Sequence, residues 1–182
     1  MTKRKIIVLY SSGYGTTKEV SEEIAKIIAR ETLFDVKSEA IDNVCDIEQY
    51  SALIIGTSVR ADKPLANVRD FIAVHHAELL AKELAFFIVC LTANSPRGRR
   101  KVLDEYIPQL TADYNHIQPI SVAAFGGKID FDKLNPVMQS LIQHVYAKTG
   151  IESTGSVDVR DWAMIRSWAV DLQKKLKQAL IF

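Results

Sequence analysis

Runs of unbroken apolar residues alternate along this chain with segments of helical period, and that alternation constrains the fold more than any other feature. Lys5–Tyr10, Leu33–Ser38, Ala52–Gly56, Leu84–Leu91 and Ile117–Phe125 read as strands. A sheet with one wet face would alternate polar and apolar residues, whereas continuous apolar runs belong to strands covered on both faces. Between them, Thr17–Arg30 places Val20, Ile24, Ile27 and Ile28 on one helix face. Thr16 and Glu19 ahead of that face have capping-box spacing. Leu65–His76 is a helix entered through Pro64, a good first-turn residue. Arg99–Tyr114 is a third, and Asp161–Leu180 a fourth, with Asp161 as its N-cap. The fold class expected is α/β, a doubly wound parallel sheet with the five strands in the order 2-1-3-4-5. Such sheets bind ligands at the carboxyl ends of their central strands.

At 182 residues the chain suits one domain, 1–182, with a substantial core. A minimal five-strand domain would join its last strand and last helix by a short loop. Here about residues 126–158 intervene, an insertion at the ligand end of the sheet. It carries its own apolar stripe, Leu134, Val137, Met138, Leu141, Ile142 and Val145, with Pro136 in the first turn. A net charge of +1 gives the whole molecule no strong pull toward nucleic acid or a membrane. Cys45 and Cys90 lie far apart with no CxxC spacing, as expected of a reduced cytoplasmic protein. The opening residues run straight into a strand, leaving no apolar signal region. No run reaches the ~20 apolar residues of a membrane span.

The first apolar run ends in "SSGYGTTK", Ser11–Lys18, where a strand passes through a loop into a helix. A P-loop needs Gly-Lys-Ser/Thr, and here Lys18 comes too late. The dinucleotide fingerprint needs a third glycine, and Lys18 occupies that place too. A phospho-receiver site needs acidic residues at the ends of strands one and three, where this chain has Ser11-Ser12 and Thr57-Ser58. What remains is a neutral nest. Ser12, Tyr14, Thr16 and Thr17 offer hydroxyls, Gly13 and Gly15 let the backbone curl, and the helix N-terminus favours an anion. Two further loops, Gly56–Pro64 and Leu91–Arg100, leave the same sheet edge. Together they form a clamp: one loop for a phosphate, two for a flat ring. No side-chain acid–base constellation or metal-ligand set stands out; His75 and His76 read as a surface pair, and His116 and His144 receive no role.

These residues and the strand pattern resemble the flavodoxin family over essentially the full chain. The resemblance implies FMN as cofactor, with Ser12, Gly15 and Thr17 at characteristic places of the phosphate loop. It implies cofactor-binding residues Ser12, Gly13, Tyr14, Gly15, Thr16 and Thr17, then Thr57, Ser58, Val59 and Arg60, then Thr92, Ala93, Asn94 and Ser95. A closer resemblance is to the menaquinone-dependent protoporphyrinogen oxidases of haem biosynthesis. It is carried by "IGTSVR" (Ile55–Arg60), by the insertion "GGKIDFDKLNPVMQSLIQHVYAKTG" and by "VDVRDWAMIRSWAVDL". That branch implies an FMN-dependent protoporphyrinogen dehydrogenase with a tetrapyrrole substrate and a quinone acceptor. The location implied is cytoplasmic, with room for peripheral contact at the inner membrane surface. The alternatives are an electron-carrier flavodoxin, against which the balance of 23 Lys+Arg to 22 Asp+Glu argues, and an FMN-dependent NAD(P)H-quinone reductase. Arg60 and Lys63 on the second loop, with Arg97, Arg99, Arg100 and Lys101 after the third, are expected around the ring's open edge. Arg60, Arg97, Arg99 and Arg100 are the candidates for binding the substrate's propionates.

Overall fold

The computed structural model describes residues 2–114, 116–131, 134, 136–137, 139–140 and 155–181. Strands β1 (Arg4–Ser11), β2 (Phe34–Ala40), β3 (Ala52–Arg60), β5 (Glu83–Val89) and β6 (Ser121–Phe125) pair in parallel in the order β2-β1-β3-β5-β6. Counting long strands only, this is the expected 2-1-3-4-5. A two-residue strand, β4 (Lys63–Pro64), folds back antiparallel on the end of β3.

The apolar runs supply both cores, because successive strand residues point to opposite faces. Ile7, Leu9, Leu53, Ile55, Phe86 and Ile88 face α2 (Ala66–Leu79), α3 (Pro96–Glu105) and α4 (Ile107–Thr111). Ile6, Val8, Ile54, Phe87 and Val89 face α1 (Thr16–Ile28) and α5 (Trp162–Ile181). Trp168 belongs to the second core, its indole N–H donating to Ser121 Oγ at 2.9 Å and its ring packing on Phe125.

Several boundaries depart from the sequence reading. The helix expected over Arg99–Tyr114 is two helices. Pro108 has no N–H for the carbonyl four residues back, and its ring collides with it, so the first helix stops and a second starts at Ile107. The last sheet strand begins at Ser121 rather than Ile117, beyond Pro119, which cannot donate to a ladder. The capping box does not form: Gly15, not Thr16, is the N-cap of α1, and Thr16 Oγ1 donates instead to Lys128 O at 3.3 Å. Asp161 does cap α5, accepting from Met164 N–H at 3.0 Å. His75 is buried rather than on the surface, because its ring lies 4.5 Å from Phe71 while Nδ1 meets Glu78 at 3.1 Å.

The insertion begins and ends in an antiparallel pair, β7 (Lys128–Asp130) with β8 (Ser156–Asp158). Ile129, Phe131 and Leu134 form a small third core with Leu91 and Val157. So the stem of the insertion packs on the third loop. Of the expected stripe, Leu134 is buried and Val137 is 77% exposed. Met138, Leu141, Ile142 and Val145 lie outside the described residues.

Candidate functional site

Strand register brings the three loops side by side. Ser11 at the end of β1 stands opposite Thr57, and Ser58 opposite Val89 at the end of β5. The connection after β1 turns to one face of the sheet and the connection after β3 to the other. The crevice between diverging connections is where such sheets hold ligands.

The first loop ends at Gly15, whose φ of +88° suits glycine and not a side-chain-bearing residue. No side chain caps α1. The N–H groups of its first turn are therefore available, as at any helix start. Ser12 Oγ accepts from Gly15 N–H at 2.9 Å, closing the loop on itself. Thr17 is 0% exposed, and its hydroxyl has no hydrogen-bond partner. A buried polar atom normally finds a partner. An orphaned hydroxyl at a helix N-terminus fits an anion that supplies it, so the residues present suit the phosphate of a flavin mononucleotide. Gly13 and Tyr14 are exposed on the same loop.

The second loop is a continuation of β3, not an irregular loop. Ala61 and Asp62 form the turn to β4 with φ of 49° and 57°, a pair of left-handed residues that matches the twist of a tight hairpin. The cost for Ala61 is about 1–2 kcal/mol, and a tether offsets it. Tyr106, buried at the end of α3, donates its OH to Asp62 Oδ1 at 2.9 Å. Burial first, then the Asp62 carboxylate, raises the Tyr106 phenol far above its ordinary range. Thr57 Oγ1 accepts from Leu65 N–H at 3.2 Å, and Ser58 and Val59 are half-buried beside it. Arg60 is exposed and lies over the first loop: a methyl group on Gly13 would meet its Nη2 at 3.2 Å.

In the third loop, Leu91–Asn94 is a 3₁₀ turn in which Thr92 and Asn94 are exposed and Ala93 is buried. Ser95 caps α3, accepting from Gly98 N–H at 3.1 Å. The buried Cys90 thiol beneath it is pushed up by desolvation. Arg60 sits against the first loop, while Arg100 and Lys101 lean along α3 toward Asp104 and Glu105 at 3.7 and 3.9 Å. Arg97 is exposed and Arg99 half-buried, and neither makes an ion pair among the described residues.

Sequence reasoning missed what holds the insertion in place. The Arg160 side chain is 5% exposed. It bonds Asp158 through Nε and Nη2 and Glu19 through Nη1 at 2.6 Å, and it lies 4.7 Å from the Trp162 ring centre. The Arg160 bond holds the Asp158 carboxyl below its usual range. Both ends of the insertion's stem are thereby fastened to the helix that starts at the first loop, one through Thr16 and Lys128, the other through Glu19 and Arg160.

The flavodoxin domain family model matches residues 7–155. The chain belongs to the flavodoxin domain family. A Leishmania major protein named protoporphyrinogen IX dehydrogenase (quinone) is 30% identical over 173 residues, covering 92% of this chain and 74% of that one. An Escherichia coli K12 protein of the same name is 21% identical over 175 residues, covering 92% of this flavodoxin-family chain and 94% of the relative. Among solved structures, a flavodoxin from the domain Archaea matches with TM-score 0.55 at 18% identity, over 95% of this chain and 99% of that one. A Fusobacterium nucleatum flavodoxin variant bound to flavin mononucleotide matches at TM-score 0.50 and 14% identity, over 98% of each. Family and relatives support an oxidoreductase of the flavin-binding type. No helix among the described residues is long and apolar enough to cross a membrane.

Proposed function

We propose that this protein is an FMN-dependent protoporphyrinogen dehydrogenase that delivers electrons to a quinone. The observation that carries the cofactor is the partnerless buried hydroxyl of Thr17 above an uncapped helix start. Likeness to two proteins named for the reaction, over 92% of this chain in each case, supports the substrate and acceptor. FMN would supply the two-electron chemistry that moves hydrogen from a tetrapyrrole to a quinone.

The chain's own task is binding and exclusion. Ser12, Gly13, Tyr14, Gly15, Thr16 and Thr17 would hold the phosphate with hydroxyls, N–H groups and the positive end of α1, no cation being needed. The β3 end, Thr57 to Arg60, and the third-loop turn, Thr92 to Ser95, would flank the ring. The Tyr106–Asp62 bond keeps the hairpin closed. The Ile129–Phe131–Leu134 core braces the third loop and keeps water from beneath it. With Ala61 and Asp62 rather than Trp or Tyr directly after Arg60, and no Trp or Tyr in Leu91–Arg100, one face of the ring stays open to a flat substrate.

The test is direct. Purified protein should show a flavin spectrum with about one FMN per chain. Under anaerobic conditions, protoporphyrinogen should yield fluorescent protoporphyrin only when a menaquinone analogue is present. Turnover with NADPH and quinone but none with protoporphyrinogen would replace this reading with the reductase.

A further inference from the structure

A recess of about 410 Å³ opens between the first loop, the turn after β2 and the start of α2. Its walls include Ser11, Gly13, Asp42, Arg60 and Asn67. Ser12, which also lines it, Gly13 and Arg60 belong to the loops assigned to the flavin. The volume is within the range of small-molecule sites, roughly 300–1,000 Å³.

One side of the recess is a directed chain of hydrogen bonds. Ser11 Oγ donates to Asn67 Oδ1 at 2.6 Å, which fixes the amide so that Nδ2 faces Asp42 and donates to both its carboxylate oxygens at 3.0 Å. A carboxylate offers about four acceptor positions, so Asp42 keeps capacity for a donor from the recess. The other side is Arg60, which makes no hydrogen bond or ion pair among the described residues. The recess thus presents a planar cation and an oriented acceptor together. Its complement is a small ring with a carboxylate at one end and an N–H donor at the other.

Resting on the function proposed above, we infer that this recess receives one propionate-bearing pyrrole ring of the porphyrinogen, with Arg60 on the propionate at one end and Asp42 on the pyrrole N–H at the other. The two contacts differ in what they read. The propionate is the same before and after oxidation. The N–H is not. Saturated bridges let a porphyrinogen tilt its pyrrole rings and turn an N–H outward, whereas the flat porphyrin keeps its N–H groups inside the macrocycle. Asp42 therefore favours the reduced tetrapyrrole, and the product leaves with one contact fewer.

The experiment compares wild type, Arg60→Ala, Arg60→Lys and Asp42→Asn as FMN-loaded proteins. KM is measured for protoporphyrinogen and for its dimethyl ester, and Kd by fluorescence for protoporphyrin and its dimethyl ester. Wild type should prefer the diacid in both assays by about tenfold, the effect of ~1.4 kcal/mol. Arg60→Ala should remove that preference, the ratio of diacid to ester values falling to about one with FMN content measured alongside, and Arg60→Lys should restore part of it. Asp42→Asn should raise KM for porphyrinogen and leave Kd for porphyrin unchanged. An Arg60→Ala protein that keeps the diacid preference, or an Asp42→Asn protein weakened equally toward both tetrapyrroles, overturns the inference. If wild type turns over no porphyrinogen yet binds protoporphyrin in an Arg60-dependent way, the function falls and the Arg60 subsite stands.

Discussion

A buried hydroxyl without a partner costs about 1–3 kcal/mol, and Thr17 carries one in the first turn of α1. If that hydroxyl exists to meet a phosphate, Thr17→Val should act in opposite directions on two measurements. Stability without flavin should hold or rise, because the orphaned group is gone and the volume is kept. FMN affinity should fall about 10- to 100-fold, the worth of a hydrogen bond to a charged group. Thermal melting of the apoprotein and flavin titration together check this; a Val variant that melts lower and still binds fully would show the hydroxyl to be structural. Thr17→Asp, which sets a carboxylate against the phosphate, should abolish flavin binding with the fold retained, as visible absorbance and circular dichroism would report. Gly98 makes a separate case. A methyl group there would lie 1.8 Å from Thr92 O, so Gly98→Ala must displace the third loop or the start of α3. The expected cost is about 1–3 kcal/mol, as for overpacking, with weaker flavin binding measured alongside.

Between elements, the strongest tie in the site region is Arg160. Its guanidinium joins the stem of the insertion to α1 through Asp158 and Glu19, and it is nearly sealed from solvent. Arg160→Met should cost about 2 kcal/mol, a fall in Tm of about 4–8 °C at this chain length. The difference depends on pH, with a defined sign. Asp158 titrates below its usual range in the folded protein because Arg160 bonds its ionised form. Its contribution is therefore complete above the unfolded carboxyl value, about pH 4, and disappears as pH falls through the lower folded value. The gap in Tm between wild type and Arg160→Met should be full at neutral pH and narrow below about pH 4. A gap constant over that range would assign the effect to packing against Trp162 rather than to charge.

At the scale of the whole molecule, near-neutral net charge coexists with separate basic positions at one edge. Arg100 and Lys101 have carboxylate neighbours on α3, and Arg60, Arg97 and Arg99 have none among the described residues. Exposed charges lose reach in salt, with a screening length of about 10 Å at 0.1 M. Arg99→Ala combined with Arg97→Ala should therefore raise KM for an anionic tetrapyrrole by no more than about tenfold, and the loss should shrink in high salt while FMN content stays constant. The insertion adds a second test at this scale. Replacing residues 135–154 with a short Gly/Ser linker keeps the stem and the Ile129–Phe131–Leu134 core that braces Leu91. Flavin binding should survive and quinone-linked turnover should fall. Unchanged turnover would reduce the insertion beyond its stem to a passive elaboration.

The strands and both helical layers were legible in the linear chain, because they follow from short-range periodicity, and the order 2-1-3-4-5 was expected from the usual winding of a five-strand parallel sheet. Apolar runs such as Ala52–Gly56 cannot tolerate a wet face, and once the central strands are buried on both faces, parallel pairing with helical crossovers is the arrangement that remains. The loop proposed to hold the phosphate was legible for the same reason: Ser12 to Thr17 is one continuous segment whose hydroxyls, glycines and helix start act locally. The pieces that only the tertiary structure decided join residues far apart in sequence. Tyr106 meets Asp62 across 44 positions, Asn67 meets Asp42 across 25, and Arg160 meets Glu19 across 141. No propensity or spacing encodes such partners, since they are set by which strands are neighbours and in what register. Arg60 shows the limit within a single loop. Its place after β3 put it on the second loop, but only the hairpin through Ala61 and Asp62 turned its guanidinium toward Gly13.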